Sequence, residues 1–178
     1  MLAAPVNPAD INTIQGVYPV KPSLPSVPGN EGVGRVESIG EGVKKLNAGD
    51  LVLPREVGWG TWRTHAVCNA EELVTINNDM DVIAAATMSV NPCTAYRMLK
   101  DFVPLQPGDV VIQNGANSAC GQSVIQFCKA WGFISVNIVR NRPDIEELKN
   151  ELRNLGADHI LTEEEVPGVK LFKEGLPR

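Results

Sequence analysis

The 178-residue sequence lacks a surplus of positive charge. It contains 16 Lys and Arg residues against 21 Asp and Glu residues, which leaves a formal net charge of −5 at pH 7. Proteins that bind nucleic acids usually carry a basic surplus or a basic stripe. The charge balance therefore argues against that class of function, and we expect no nucleic-acid partner.

Long apolar runs and cysteine clusters are also lacking. No stretch of the sequence approaches the about 20 apolar residues of a membrane-spanning helix, so we expect no membrane span. The 4 cysteines are too few for a disulfide-stapled fold, and their spacing fits no zinc knuckle, zinc ribbon or C-x-x-C pair. Hydrophobic residues make up 43% of the chain, as in an ordinary globular protein.

Proline and glycine are concentrated in the first part of the chain, where turn signals interrupt short apolar runs. This pattern predicts short antiparallel strands, at 32–39, 51–54, 61–67 and 73–76. Helical spacing begins near residue 81 and predicts helices over 82–88 and 94–100. We expect the second helix to restart at Asn91-Pro92, because proline cannot donate a backbone hydrogen bond.

The second part of the chain alternates between strand and helix patterns. A β-branched apolar run at 110–113 predicts a buried parallel strand, and a second strand at 134–139 and a third, short strand at 159–161 are predicted after it. Helical spacing follows the first run, and a second helix is predicted over 144–155, where Gly156 ends it. The resulting βαβαβ order is one mononucleotide-binding half of a doubly wound Rossmann sheet, which needs about six strands. We therefore expect an α/β fold, in a chain truncated at both ends relative to that fold.

A glycine-containing turn, Asn114 to Gly121, lies between the first predicted parallel strand and its helix. This context is the one required for binding a phosphate, since glycines permit close backbone approach and a helix N-terminus favours an anion. The alternative is a tight strand–helix connection without a ligand. Ala119 and Cys120 stand where Gly and an aliphatic residue are common, and an added methyl group is expected to weaken phosphate binding.

Arg140-Asn141-Arg142 follows the second predicted parallel strand. An NAD-binding protein usually has Asp or Glu at this position for the ribose hydroxyls, whereas Arg suits the 2′-phosphate of NADP. The arginines therefore favour NADPH over NADH. The alternative is a solvated basic turn, and Asp144 lies close enough in sequence to compete for the charge.

Two further residues have ordinary structural interpretations when the residues alone are considered. Tyr18 lies in a predicted loop, where a tyrosine is more often a surface or interface residue than a proton donor, although a phenol can act as a general acid. Asn91 stands at a helix restart, where Asn commonly caps the helix.

Several runs of the sequence together resemble the medium-chain dehydrogenase/reductase superfamily and, within it, the mitochondrial 2-enoyl thioester reductases. The resemblance covers nearly the whole chain, through residues 3–12, 15–18, 29–34, 60–64, 90–99, 111–118, 137–144 and 155–160. It implies a GroES-like β-rich catalytic domain over 1–100, N-terminally incomplete, and a partial Rossmann NADPH-binding domain over 101–178.

The resemblance also implies a reaction and its residues. The family transfers hydride from NADPH to C3 of a trans-2-enoyl thioester and a proton to C2, in mitochondrial fatty-acid synthesis. Tyr18 matches the proton donor, and Asn91 matches an asparagine near the nicotinamide. Asn117, Ser118, Ala119 and Cys120 match the phosphate-binding turn, and Arg140, Asn141 and Arg142 match the clamp on the adenosine phosphate. The substrate carrier, CoA or acyl carrier protein, is left open.

The resemblance implies a reductase without zinc. Zinc-dependent members of the superfamily have an early Cys and a Gly-His-Glu run, whereas this chain has Asn-Pro-Ala-Asp at 7–10 and Gly-Asn-Glu at 29–31. We expect metal-free hydride transfer. The implied location is mitochondrial, although the first residues do not have the composition of a transit peptide.

Two rival functions stay open, the second of them because of the predicted truncation. One is a zinc-free NADPH quinone reductase of the same superfamily, which would not need Tyr18. The other is a catalytically inactive fragment that acts only by binding a partner. The family forms homodimers largely through the cofactor domain, so we do not expect half of that domain to dimerise.

Overall fold

The computed structural model describes residues 1–168. It divides into two compact units, Met1–Val90 and the residues from Asn91 onward. Residues 169–178, the end of the domain predicted over 101–178, lie outside the described residues. Within residues 1–168, no helix has both the length and the apolar character to cross a membrane.

The first unit is built around a small antiparallel sheet. In its described residues the strands are ordered β1-β2-β3: β1 (Gly34–Arg35), β2 (Leu51–Pro54) and β3 (Leu73–Thr75). Val52 of the central strand lies opposite Gly34 on one side and Thr75 on the other. The unit also contains the helices α1 (Pro8–Ile14) and α2 (Val82–Ala86). Its core buries Val33, Leu51, Leu53, Ala85 and Ala86.

One predicted strand in this unit is wrong in extent, and a second does not form. The run 32–39 forms a strand only at Gly34–Arg35, and residues 61–67 form no strand. In the second case the backbone N–H groups of Thr61 and Trp62 donate to the carbonyls of Gly29 and Pro28, at 3.2 and 3.0 Å, without forming a strand. Side chains add to these contacts: the Thr61 hydroxyl donates to the carbonyl of Glu31 at 2.7 Å, and Trp62 Nε1 donates to the carbonyl of Pro5 at 3.0 Å.

Helix α1 was not expected from the sequence. Its apolar residues are few, but Pro8 occupies the first turn, where the missing N–H costs nothing, and Asn7 precedes it. The Asn7 backbone N–H donates to Asp10 Oδ2 at 2.8 Å, which is half of a capping box. The run Asn-Pro-Ala-Asp was the sequence signal for this helix.

The second unit confirms the βαβαβ order. Its described strands β4 (Val110–Asn114), β5 (Ile134–Val139) and β6 (His159–Thr162) are parallel and ordered β4-β5-β6. Helix α4 (Ala119–Trp131) follows β4, and α5 (Ile145–Leu155) follows β5. Gly132 and Gly156 end these helices in the left-handed conformation, with φ of 75° and 108°.

Helix α3 (Asn91–Lys100) packs with the second unit. Its Ala95 and Leu99 are buried together with Val124 and Cys128 of α4. The compact units consequently divide after Val90, before the predicted domain boundary at residue 100. The apolar face of α3 determines this division, which the helical spacing alone could not assign to either unit.

Candidate functional site

The turn between β4 and α4 reverses the chain at Gly115, which has a φ of 58°. Ser118 caps α4: its backbone N–H donates to the Gly115 carbonyl at 2.9 Å, and its Oγ accepts from the Gly121 N–H at 3.1 Å. Such a capped start fixes the direction of the first turn of the helix.

Gly121 allows this turn to close tightly on the helix. A Cβ at that position would lie 2.7 Å from the Cα and the carbonyl oxygen of Ala116, a residue with no exposed surface. Backbone atoms at that distance cannot yield as a flexible side chain would. Gly121 is therefore the position in this turn where an added methyl group does not fit. Ala119, by contrast, is exposed.

The first turn of α4 presents unpaired backbone donors. Among residues 1–168, the N–H groups of Ala119 and Cys120 have no acceptor, as is usual for the start of a helix. Asn117 and Ser118 are exposed beside them. Burial raises the pKa of the Cys120 thiol, so it adds no negative charge here at neutral pH. The helix dipole and the free donors together favour an anion.

A polar network beneath the turn was not found from the sequence. Gln113 Nε2 donates to the Gly121 carbonyl at 2.9 Å and to Asn137 Oδ1 at 2.8 Å. Asn137, which is fully buried, donates in turn to Ser135 Oγ and to the His159 carbonyl. The signal that could have revealed it is the pair of amides in otherwise apolar strands.

The Arg140–Arg142 segment lies at the same edge of the sheet as the turn. The Ala116 N–H donates to the carbonyl of Ile138 at 3.3 Å, and Arg140 follows directly after β5. Arg142 Nε lies 3.0 Å from Asp144 Oδ1, so this arginine is partly neutralised. Arg140 and Asn141 are exposed, and Arg140 makes no ion pair with any residue of the described range. Carboxyl ends of parallel strands are where doubly wound sheets bind ligands.

Tyr18 belongs to the first unit and is half-buried. The chain turns after α1 at Gly16, with a φ of 73°, and the backbone N–H groups of Val17 and Tyr18 both donate to the carbonyl of Asn12, at 3.0 and 3.1 Å. The Tyr18 hydroxyl has no hydrogen-bond partner among residues 1–168. The phenol is thus free to donate a proton to a bound molecule.

Asn91 is the first residue of α3, where the sequence suggested a helix cap. It is half-buried, and its side chain makes no hydrogen bond within the described part of the chain.

Among the candidate residues, the structure brings the turn and the arginine segment together in the second unit. Tyr18 lies in the first unit. A groove of about 670 Å³ along β1 and β2 contains none of the candidate residues.

A buried polar network in the first unit was also missed by sequence reasoning. Asp10 Oδ1 accepts from both the backbone N–H and the Nδ2 of Asn30, at 3.0 and 2.7 Å, and Glu31 accepts three further hydrogen bonds. Both carboxylates are 2% exposed. Asn30 stands in place of the His in the Gly-His-Glu run of zinc-dependent members, and Asp10 belongs to the run Asn-Pro-Ala-Asp, where those members have an early Cys. Within residues 1–168, no group of three or more His, Cys, Asp or Glu side chains is placed to hold a metal ion.

Comparisons with known proteins agree with this architecture. Residues 1–78 match the family described as the alcohol dehydrogenase GroES-like domain. The human protein named enoyl-[acyl-carrier-protein] reductase, mitochondrial, is 53% identical over 180 aligned residues, which cover 100% of this chain and 48% of that protein. The chain thus spans about half the length of the curated relatives it matches.

Two solved structures are similar over most of the chain. The complex of Etr1p with NADP and crotonyl-CoA has a TM-score of 0.87 and 40% identity, and the match covers 95% of this chain and 54% of that one. The mitochondrial 2-enoyl thioester reductase Etr1p/Etr2p heterodimer from Candida tropicalis has a TM-score of 0.85 and 40% identity, covering 91% and 50%.

Proposed function

This chain belongs to the mitochondrial 2-enoyl thioester reductases of the medium-chain dehydrogenase/reductase superfamily, and on that premise we propose that it binds NADPH and serves in the reduction of the 2,3 double bond of trans-2-enoyl thioesters. The proposed setting is fatty-acid synthesis in the mitochondrion, after the names of the relatives. The observation that carries the proposal is the anion-binding start of α4 beside the unpaired Arg140.

The residues present fit the dinucleotide. Asn117, Ser118, Ala119 and Cys120 would hold the pyrophosphate, because this turn combines free N–H donors with the positive end of a 13-residue helix. The close contact of Gly121 with Ala116 keeps the backbone compact at that point. Gln113 holds the turn from below, through the Gly121 carbonyl.

The arginine segment would provide the preference for NADPH. Arg140 is the stronger candidate for the 2′-phosphate, because Asp144 already pairs with Arg142. Arg142 and Asn141 would complete the clamp with a second, partly neutralised charge and an amide. An arginine forms charge-assisted and often bidentate hydrogen bonds with a phosphate. The 2′-hydroxyl of NADH, which is uncharged, cannot form such bonds.

Tyr18 would supply the proton of the reaction. The chemistry that NADPH would supply when bound is a hydride for C3 of the substrate. The Tyr18 Oη then donates its proton to C2, where the negative charge develops, and the backbone contacts to Asn12 hold the phenol during the transfer. Asn91 would contact the nicotinamide end through its amide. The substrate is the enoyl thioester of CoA or of acyl carrier protein, and dimerisation of this chain is not part of the proposal.

Binding measurements test the cofactor assignment. Calorimetry on the purified chain is expected to show NADPH binding more tightly than NADH. Arg140→Ala should weaken NADPH binding by about 10- to 100-fold, the worth of a hydrogen bond to a charged group, and should leave NADH binding unchanged. Arg153→Ala is the matched control, because Arg153 is an arginine of α5 that pairs only with Asn150 in the described residues. Equal binding of the two nucleotides would contradict the assignment.

Turnover of crotonyl-CoA tests the catalytic assignment. Tyr18→Phe should lower kcat by about 100- to 10,000-fold, the usual contribution of a general acid, while the Kd for NADPH stays unchanged. Tyr96→Phe, which removes the other phenol of the chain, should change neither quantity. The quinone reductase would be favoured by two results together: the parent chain does not reduce the enoyl thioester, and Tyr18→Phe still reduces a quinone. A folded chain that binds neither nucleotide would favour the inactive fragment.

A further inference from the structure

Glu31 joins two segments of the first unit through one buried carboxylate. Its Oε1 accepts from Asn7 Nδ2 at 2.8 Å, and its Oε2 accepts from Ser89 Oγ at 3.1 Å and from the Val90 N–H at 3.0 Å. The residue is 2% exposed. A buried carboxylate is costly unless it is hydrogen-bonded, and hydrogen bonds to a charged group are strong. The three bonds therefore hold both segments firmly.

The first segment leads to Tyr18. Asn7 directly precedes α1, and the Asn12 carbonyl within α1 accepts from the Tyr18 N–H at 3.1 Å. A short helix of 7 residues has little stability of its own, so its orientation depends on the contacts at its ends. Displacement of Asn7 is therefore transmitted to the phenol through the backbone of the helix.

The second segment leads to Asn91. Glu31 binds the backbone N–H of Val90, and Asn91 follows directly as the first residue of α3. The Ser89 hydroxyl adds a contact one residue earlier. The chain entering α3 is thus tied to a buried group in the first unit just before the residue proposed to contact the nicotinamide.

We infer that Glu31 is a positioning residue that sets the place of Tyr18 through Asn7 and the place of Asn91 through Val90. The inference rests on the proposed function for the roles of those two residues. Asp10 gives the frame in which it acts: Asp10 binds Asn30 and the Asn7 backbone, so α1 remains attached to the unit when the Glu31 contact is lost. Loss of Glu31 should accordingly shift the two residues rather than unfold the unit.

Fluorine NMR reports on Tyr18 without any assay of activity. The chain has 2 tyrosines, so replacement of tyrosine by fluorotyrosine gives two signals, which Tyr96→Phe assigns. Glu31→Ala is expected to shift or broaden the Tyr18 signal and to leave the Tyr96 signal in place. It should also speed amide hydrogen exchange at Val90 by about tenfold or more, since that N–H loses its acceptor.

Two single substitutions separate the segments. Asn7→Ala should alter the Tyr18 signal and leave NADPH affinity unchanged. Ser89→Ala should leave the Tyr18 signal unchanged and weaken NADPH binding by a smaller factor than Glu31→Ala does. If both substitutions change both readouts equally, the two segments are not held separately by Glu31, and the inference fails.

Rescue by an amide distinguishes position from charge. In Glu31→Gln the side-chain oxygen can still accept from Ser89 and Val90. The new NH₂ group can donate to Asn7 once the Asn7 amide flips and presents its oxygen in place of its nitrogen. We expect Glu31→Gln to restore the Tyr18 signal and the NADPH affinity, and Glu31→Ala to lower kcat for crotonyl-CoA by about 10- to 100-fold, as for a misplaced catalytic group. Glu37→Ala is the control, because that carboxylate is exposed and contacts only His65 in the described residues.

The outcomes separate this inference from the proposed function. Absence of enoyl reduction in the parent chain would refute the proposed function, whereas the fluorine signal and the Val90 exchange rate still test the placement of Tyr18 and Val90. A Tyr18 signal unchanged in a folded Glu31→Ala variant would overturn the inference. If that variant does not fold, Asn7→Ala provides the same test, since it removes the contact of Glu31 with α1 and retains those with Ser89 and Val90.

Discussion

Gln113 on β4 donates a hydrogen bond from Nε2 to Oδ1 of Asn137 on β5, at 2.8 Å. The two amides lie across neighbouring parallel strands, at a point where such strands are usually apolar. The same Nε2 also donates to the Gly121 carbonyl in the first turn of α4. One side chain therefore ties the sheet to the helix start that the proposed function assigns to the pyrophosphate.

Removal of this amide should weaken both the fold and the nucleotide site. Gln113→Ala leaves the Asn137 oxygen, which is fully buried, without its donor, at a cost of about 1–3 kcal/mol in the free energy of unfolding. NADPH binding should weaken as well, because the first turn of α4 loses a contact. Urea denaturation and calorimetry measure the two effects. Gln126→Ala, at an exposed position of the same helix, should change neither.

Gly121→Ala tests the tight contact between the turn and α4. The new Cβ would lie 2.7 Å from two backbone atoms of Ala116, and over-packing of this kind costs about 1–3 kcal/mol. The expected result is a lower thermal midpoint together with loss of NADPH binding. Gly40→Ala, where the added Cβ has no neighbour within 4 Å, should behave like the parent chain. Unchanged NADPH affinity in Gly121→Ala would show that the nucleotide does not depend on this contact.

Sequence patterns predicted the second unit well and the first unit poorly. The strands β4 and β5 and the end of α5 followed from β-branched runs and from Gly156, since buried parallel strands and helix ends have strong local signals. In the first unit, segment 61–67 is held by side-chain contacts from residues far away in sequence, such as Trp62 to Pro5. No local periodicity encodes such contacts.

The same contrast applies to the candidate site. A motif and its strand–helix context predict the phosphate turn and the arginine segment from the sequence, and their roles stay predictions. The buried carboxylates of Asp10 and Glu31 were not found, because acidic residues are mostly exposed and composition gives no sign of burial. Their partners, Asn30 and Ser89, are distant in sequence, so only the folded structure brings them together.

The cysteines should differ strongly in reactivity. Burial, with a smaller effect of Asp158, raises the pKa of the Cys128 thiol to about 11, so only about a thousandth of it is thiolate at pH 8. Cys93 is exposed. Titration with a thiol-reactive disulfide should modify Cys93 in the folded chain and Cys128 only after unfolding. Cys93→Ser should remove the fast phase, and rapid modification of Cys128 in that variant would contradict the packing around α4.

Chelation should leave NADPH binding unchanged. At Asn30, which stands in place of the His in the Gly-His-Glu run of zinc-dependent members, the backbone N–H and the side-chain Nδ2 both donate to Asp10 Oδ1. Asp10 and Asn30 are thus hydrogen-bonded to each other, and an amide is a poor zinc ligand compared with Cys and His. Calorimetry after exhaustive treatment with a chelator, compared with the untreated chain, measures this. A fall in affinity that added zinc reverses would contradict the metal-free assignment.

Glu165 should contribute to the loss of stability in acid. The Thr162 backbone N–H donates to its Oε2 at 2.7 Å and Lys149 Nζ lies 3.2 Å from its Oε1, and these contacts lower the pKa of the carboxyl. A carboxyl group with a lowered pKa stabilises the fold above its unfolded pKa, and this contribution is lost as the pH falls through the lowered value.

The test compares urea midpoints of the parent chain and Glu165→Gln from about pH 7 down to about pH 3, the range over which a carboxyl group titrates. The difference between the two should be largest near neutral pH and should shrink in acid, because the protonated carboxyl of Glu165 and the uncharged amide of the variant accept hydrogen bonds alike. Glu164→Gln, at an exposed neighbouring position, should follow the parent chain at every pH. A difference that grows in acid would mean that the carboxyl stabilises the fold in its protonated form, contrary to its contacts with Thr162 and Lys149.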